Sequence, residues 1–176
     1  MSRNMVLISR WRLDTSRDRL WKLLTDATAW PSWWPHLASV YPLSGGDAAG
    51  VGSRHAFLWR SGIGYTLRIV MTTTRATPCR ELEAKATGDV NGIGVWVIED
   101  DAAGSLRLTY RWEVELSRPW MRWLAPLLRP LFARRHFAVM ACGAHGMARQ
   151  LGCRASEIEE WSAAPPALLN EAGGRS

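Results

Sequence analysis

Lysine is nearly missing from this chain. Lys22 and Lys85 are its two lysines, so almost all of its 22 basic side chains are arginine. The formal net charge is +6, but the arginines are scattered and no nucleic-acid motif accompanies them, so no nucleic-acid partner is expected. Cysteine is scarce and odd in number: Cys79, Cys142 and Cys153 have no CxxC spacing, which argues against a disulfide framework and a zinc site. Long apolar runs are missing as well. "MSRNMVLISRWRLD" is interrupted by Ser9 and Arg10, which suits neither a signal peptide nor a membrane span. A cytoplasmic protein is the expectation. No spacing of His, Cys, Asp or Glu gathers metal ligands, no GxSxG is present, and Cys142 has no evident base, so neither metal nor cofactor is expected.

Phenylalanine and tyrosine are also few, three of each, against eleven tryptophans. Aromatic bulk therefore arrives mostly as indole, suited to broad apolar walls with an N–H to satisfy. "AWPSWWP", residues 29 to 35, concentrates Trp30, Trp33 and Trp34 beside Pro31 and Pro35. With 176 residues, 47% of them hydrophobic, the chain suits one domain with a sizeable core. We expect that domain over residues 1–161 and a loose tail over 162–176.

Periodicity supplies the elements. "MVLISRWRL" alternates as a strand, with Met5, Leu7, Trp11 and Leu13 on one face. "DTSRDRLWKLLTDA" changes to helical spacing, with Asp14 or Thr15 as cap and Leu20, Trp21, Leu23, Leu24 and Ala27 as the apolar stripe. The tryptophan segment suits one short helix in a bend. "VYPLSGGDAAGVG" has turn chemistry, and "SGIG" is a tight turn. Alternation then marks strands through "SRHAFLW", "YTLRIVMTT", "RELEAKAT", "IGVWVIEDD" and "SLRLTYRWEVEL". Pro119, Pro126 and Pro130 are expected to break the next segment into a short helix or two. A long helix then follows from 130 to 152, its seam formed by Phe132, His136, Met140, Gly143 and Met147. The predicted order is one strand, two short helices, about six antiparallel strands and one long C-terminal helix. A one-sided sheet must cover its apolar face, and only the last helix is long enough. A strongly curved sheet gripping that helix leaves a space in which a ligand can sit.

"RLWKLLTDATAWPSWWPHL", "GVGSRHAF" and "LLRPLFARRHFAVMACGAHGMARQLG" together resemble the SRPBCC superfamily, which includes START-type lipid carriers and polyketide cyclase/dehydrase relatives. The resemblance spans roughly residues 4 to 152. It implies an α+β helix-grip fold, a curved antiparallel β-sheet wrapped around a long C-terminal helix with two short helices after the first strand. It also implies a hydrophobic small-molecule ligand. In such folds Trp30, Trp33 and Trp34 would line or lid the cavity mouth; the alternative is that they plug the gap between helix and sheet.

The candidate ligand-binding residues are Trp34, Trp59, Tyr65, Trp96, Tyr110, Trp112, His136, Met140 and Gly143. His136 shares the apolar stripe of the long helix, where it could anchor a ligand carbonyl, shuttle a proton, or simply be a satisfied core histidine. His136 and Tyr110 are the catalytic candidates. Alternation sends Glu113 and Glu115 to solvent, and Arg68 sits on the more polar strand face. Three readings stay open: binding of a lipid, isoprenoid or polyketide-like molecule; a cyclase, aromatase or dehydratase using the same cavity; and docking of a membrane or partner by the arginine-rich surface. A homodimer is compatible with all three.

Overall fold

The computed structural model describes residues 5–60, 66–101, 104–116 and 119–163, with side chains throughout except at 116, 119–129 and 163. The chain runs β1 (Met5–Leu13), α1 (Arg17–Thr25), a short 3-10 helix (Ala27–Ser32), β2 (Leu37–Ser44), β3 (Arg54–Arg60), β4 (Thr66–Thr77), β5 (Glu81–Gly88), β6 (Val90–Asp100), β7 (Leu106–Leu116), α2 (Pro119–Leu151) and β8 (Ala155–Ala163). The strands form one eight-stranded sheet in the order β2-β3-β4-β5-β6-β7-β1-β8, antiparallel throughout. Register shifts between Leu37 and Ser39, Pro42 and Ser44, Thr73 and Arg75, and Arg10 and Arg12 mark bulges. Each extra residue bends its strand and adds twist, which curls the sheet around α2. This is the α+β helix-grip architecture.

Four local expectations are corrected. Ser16, not Asp14 or Thr15, caps α1: its backbone is extended and its hydroxyl accepts from the Arg19 N–H, satisfying a donor the first turn leaves orphaned. The segment read as turn chemistry begins with β2. An edge position makes this possible, because the missing donor of Pro42 need not face a neighbouring strand. The prolines do not divide α2, which runs unbroken for 33 residues. Pro119 is its first residue, where no donor is needed, and Pro126 and Pro130 each remove one backbone bond while the flanking turns carry the helix through. Lastly, β8 was not expected. It pairs with the outer edge of β1, and Ser162 and Ala163, assigned to the tail by sequence, are its end. The "SGIG" turn, Tyr65 and residues 164–176 lie outside the described residues.

Alternation works as expected in β1, where Leu7, Trp11 and Leu13 are buried facing α2. The outward Arg10 and Arg12 pair instead with Glu159 and Glu157 of β8. Along α2 the seam changes character. Met140, Ala144, Met147, Ala148 and Leu151 are all buried to 5% exposure or less, whereas no residue between Pro130 and Val139 is buried.

Candidate ligand-binding cavity

Small residues make the tight half of α2. A Cβ on Gly143 would run into the Trp34 ring, and one on Gly146 into the Trp33 carbonyl. Both glycines let the tryptophan segment nest directly on the helix backbone. Trp34 is 2% exposed; its Nε1 donates to the Val139 carbonyl at 2.8 Å, and its ring meets Trp59 edge-on at 5.1 Å. Trp30 donates to the Leu23 carbonyl at 3.1 Å and packs on Trp34 and Phe57. These indoles are therefore fixed walls whose polar atoms are already engaged.

One turn nearer the N-terminus, α2 presents Phe132, His136 and Val139 to the concave sheet without filling the gap. A cavity of about 290 Å³ remains. Trp34, Trp59, Trp96, Tyr110, Trp112, His136 and Met140 all line it, together with Trp30 and Phe57. Their rings form a continuous band: Trp96 lies 4.3 Å from Tyr110, Tyr110 is stacked with Trp112 at 6.1 Å, and Tyr110 is stacked with His136 at 6.4 Å. Gly94 makes room for this band, since a Cβ there would come 2.5 Å from the Tyr110 hydroxyl oxygen. Gly143 does not line the cavity. It is the seat of Trp34, one turn further along the helix. Trp33 is likewise buried behind the wall, and Arg68 is exposed, as its polar strand face implied.

His136 is the deep polar group. The residue as a whole is half-buried, but the loss of water around its imidazole disfavours the imidazolium and lowers its pKa from 6.5 to about 4, so the ring is neutral at pH 7. Its Nε2 is buried and has no hydrogen-bond partner among the described residues. Tyr110 is pushed the other way by the same cause and keeps its proton. Among the described residues, no aspartate or glutamate lines the cavity. Among the described residues no three His, Cys, Asp or Glu side chains converge where a metal ion could sit. No helix among them is long and apolar enough to cross a membrane.

Three basic residues of the wall, His55, Arg60 and Arg135, were not among the sequence candidates. His55 sits beside Phe57 at 6.5 Å, and partial burial lowers its pKa. Arg60 ends β3 and Arg135 adjoins His136. Helical spacing alone could have found Arg135, which lies one turn before Val139.

The family model described as polyketide cyclase / dehydrase and lipid transport matches residues 10–152. No curated protein sequence matches the chain. Among solved structures it is similar to a START superfamily protein from Mycobacterium smegmatis, at 12% identity and TM-score 0.69, covering 84% of this chain and 97% of that one. It is also similar to an aromatase/cyclase from a Streptomyces species, at 12% identity and TM-score 0.67, covering 85% and 94%. A ginseng major latex-like protein from Panax ginseng matches at 10% identity and TM-score 0.65, covering 85% and 99%. At such identities these likenesses show the fold alone.

Proposed function

The chain belongs to the polyketide cyclase / dehydrase and lipid transport family, and from that premise we propose that it binds a hydrophobic or aromatic small molecule, such as a lipid, isoprenoid or polyketide-like compound, in the cavity between sheet and α2. The observation that carries the reading is the wall itself. Trp59, Trp96, Tyr110, Trp112 and Phe132 surround an unfilled space that ordinary core packing would have closed. Aromatic faces held rigid by their neighbours bind flat apolar molecules with little loss of side-chain freedom. His136, neutral and unpartnered at Nε2, supports an anchoring hydrogen bond to one hydroxyl or carbonyl.

Native mass spectrometry of the freshly purified protein tests this directly. A co-purified apolar species should appear as added mass and disappear on organic extraction. Extracted protein should then bind apolar dyes with a shift of indole fluorescence, weakened more by Trp112→Ala than by Trp161→Ala, which changes β8 outside the cavity. Equal effects of the two substitutions would count against the site.

A second reading, ring closure or dehydration of the bound molecule, is favoured by one observation. His136 can accept or donate a proton beside Tyr110, a hydroxyl that stays protonated. His136→Gln separates the two. A carrier should lose at most about tenfold in affinity, the scale of one hydrogen bond. An enzyme using His136 for proton transfer should bind but turn over about a hundredfold more slowly.

A further inference from the structure

Resting on the cavity reading above, we propose that the molecule bound is an amphipathic acid: a flat aromatic or polycyclic body with one carboxylate or phosphate head group, the head held at the rim by Arg60 and Arg135. Among the described residues, the charged residues of the cavity wall are these two arginines, and no acidic side chain accompanies them. Six arginines elsewhere are engaged with acids: Arg10, Arg12, Arg17, Arg75, Arg107 and Arg111 all have carboxylate partners. Neither Arg60 nor Arg135 has a side-chain hydrogen bond or ion pair among the described residues.

The packing brings the two to one region. Arg60 directly follows Trp59, and its backbone N–H donates to the His36 carbonyl at 2.8 Å, beside the tryptophan segment. Arg135 lies one turn before Val139, whose carbonyl takes the Trp34 indole N–H at 2.8 Å. Trp34 rests on Trp59, so one indole pair bridges the bases of both arginines. Both residues are exposed, as a head-group site at the rim, rather than in the apolar interior, requires. Two like charges over an apolar cleft raise the local potential for an anion. Guanidinium forks match carboxylate and phosphate oxygens geometrically.

Size and depth set the rest of the ligand. A volume of about 290 Å³ is about twice the ~150 Å³ that accommodates benzene in an engineered cavity. That suits two or three fused rings better than a long acyl chain. The unpartnered Nε2 of His136 lies within the wall, where a ring hydroxyl or carbonyl would complete it.

Isothermal titration calorimetry on the full, extracted chain tests the idea with 6-hydroxy-2-naphthoate, its methyl ester and 2-naphthyl phosphate. At low salt at least one anion should bind about tenfold or more tighter than the ester, and the ratio should shrink as salt is raised. The tighter anion identifies the head group. In an Arg60→Gln, Arg135→Gln double variant the anion-to-ester ratio should fall close to one. It should persist in Arg149→Gln, an exposed arginine outside the cavity. Because the ratio is taken within each variant, a partial loss of folded protein cancels. An ester that binds as well as both anions, or a ratio that survives the double substitution, overturns this inference while leaving an apolar cavity in place. Binding of none of the three probes would overturn the cavity reading along with it.

Discussion

The two halves of α2 face the same sheet and are built to opposite ends. From Gly143 to Leu151 the helix is sealed against tryptophans by glycine and alanine. From Pro130 to Val139 it carries larger groups, Phe132, His136 and Phe137, yet leaves a gap. Bulk is therefore not what fills a core here. Small residues allow the backbones to approach, and approach is what removes space. Large residues on the other half hold the helix and sheet apart and coat the hollow they create.

Substitutions can break that contrast. Gly146→Ala should do most damage, because the new methyl meets a backbone carbonyl that cannot swing aside. A loss of about 3 kcal/mol or more in chemical unfolding is expected, and an unchanged midpoint would show that the sealed half has slack. Truncation should be just as unequal. Met147→Ala, at a position with no exposure, should cost about 3 kcal/mol. Phe132→Ala, half-buried beside existing space, should cost about 1 kcal/mol, and equal costs would erase the distinction.

Acid provides a milder probe of the hollow half. Burial lowers the pKa of His136 to about 4 from an ordinary 6.5, so between those values the unfolded chain binds more protons than the folded one. The associated stability is complete above about pH 6.5, falls as pH drops, and is fully lost below about pH 4. At pH 5 the loss is about 2 kcal/mol. The stability difference between wild type and His136→Gln should shift by that amount between pH 7 and pH 5, and a pH-independent difference would mean that His136 is not desolvated. The smallest effect should come from filling the hollow. Ala84 lines it, so Ala84→Leu should change stability by no more than about 1 kcal/mol while abolishing dye binding. Retained binding would place the ligand elsewhere.

The hollow half was largely legible in the sequence. Clean alternation through "SLRLTYRWEVEL" put Tyr110 and Trp112 on the inner face, and helical spacing put His136 and Met140 opposite them. Gly143 was misassigned for a physical reason: its lack of a side chain serves a partner, Trp34, that is distant in sequence. The edges were least legible. "ASEIEEWSA" offers little apolar face: Ala155 and Ile158 reach the core, and the rest of β8 is held by backbone pairing with β1, by ion pairs to Arg10 and Arg12, and by Arg10 lying 5.0 Å over the Trp161 ring. Such a strand leaves no hydrophobic period to read. Arg60 and Arg135 were passed over because charged residues at element ends are ordinarily solvated, and only the folded rim gives them a common neighbour.

The position of β8 also sets a timetable. β1 is made well before its two neighbours in the sheet, β7, with Met5 opposite Val114, and β8, with Val6 opposite Ala163. During synthesis the strand must wait for most of the chain before either edge is covered. Contacts so remote in sequence slow folding and prolong the exposure of unpaired strand edges. The arginines that alternate along β1 keep that waiting edge charged and discourage it from pairing with a stranger. The glutamates of β8, arriving last, complete both the hydrogen bonding and the charge.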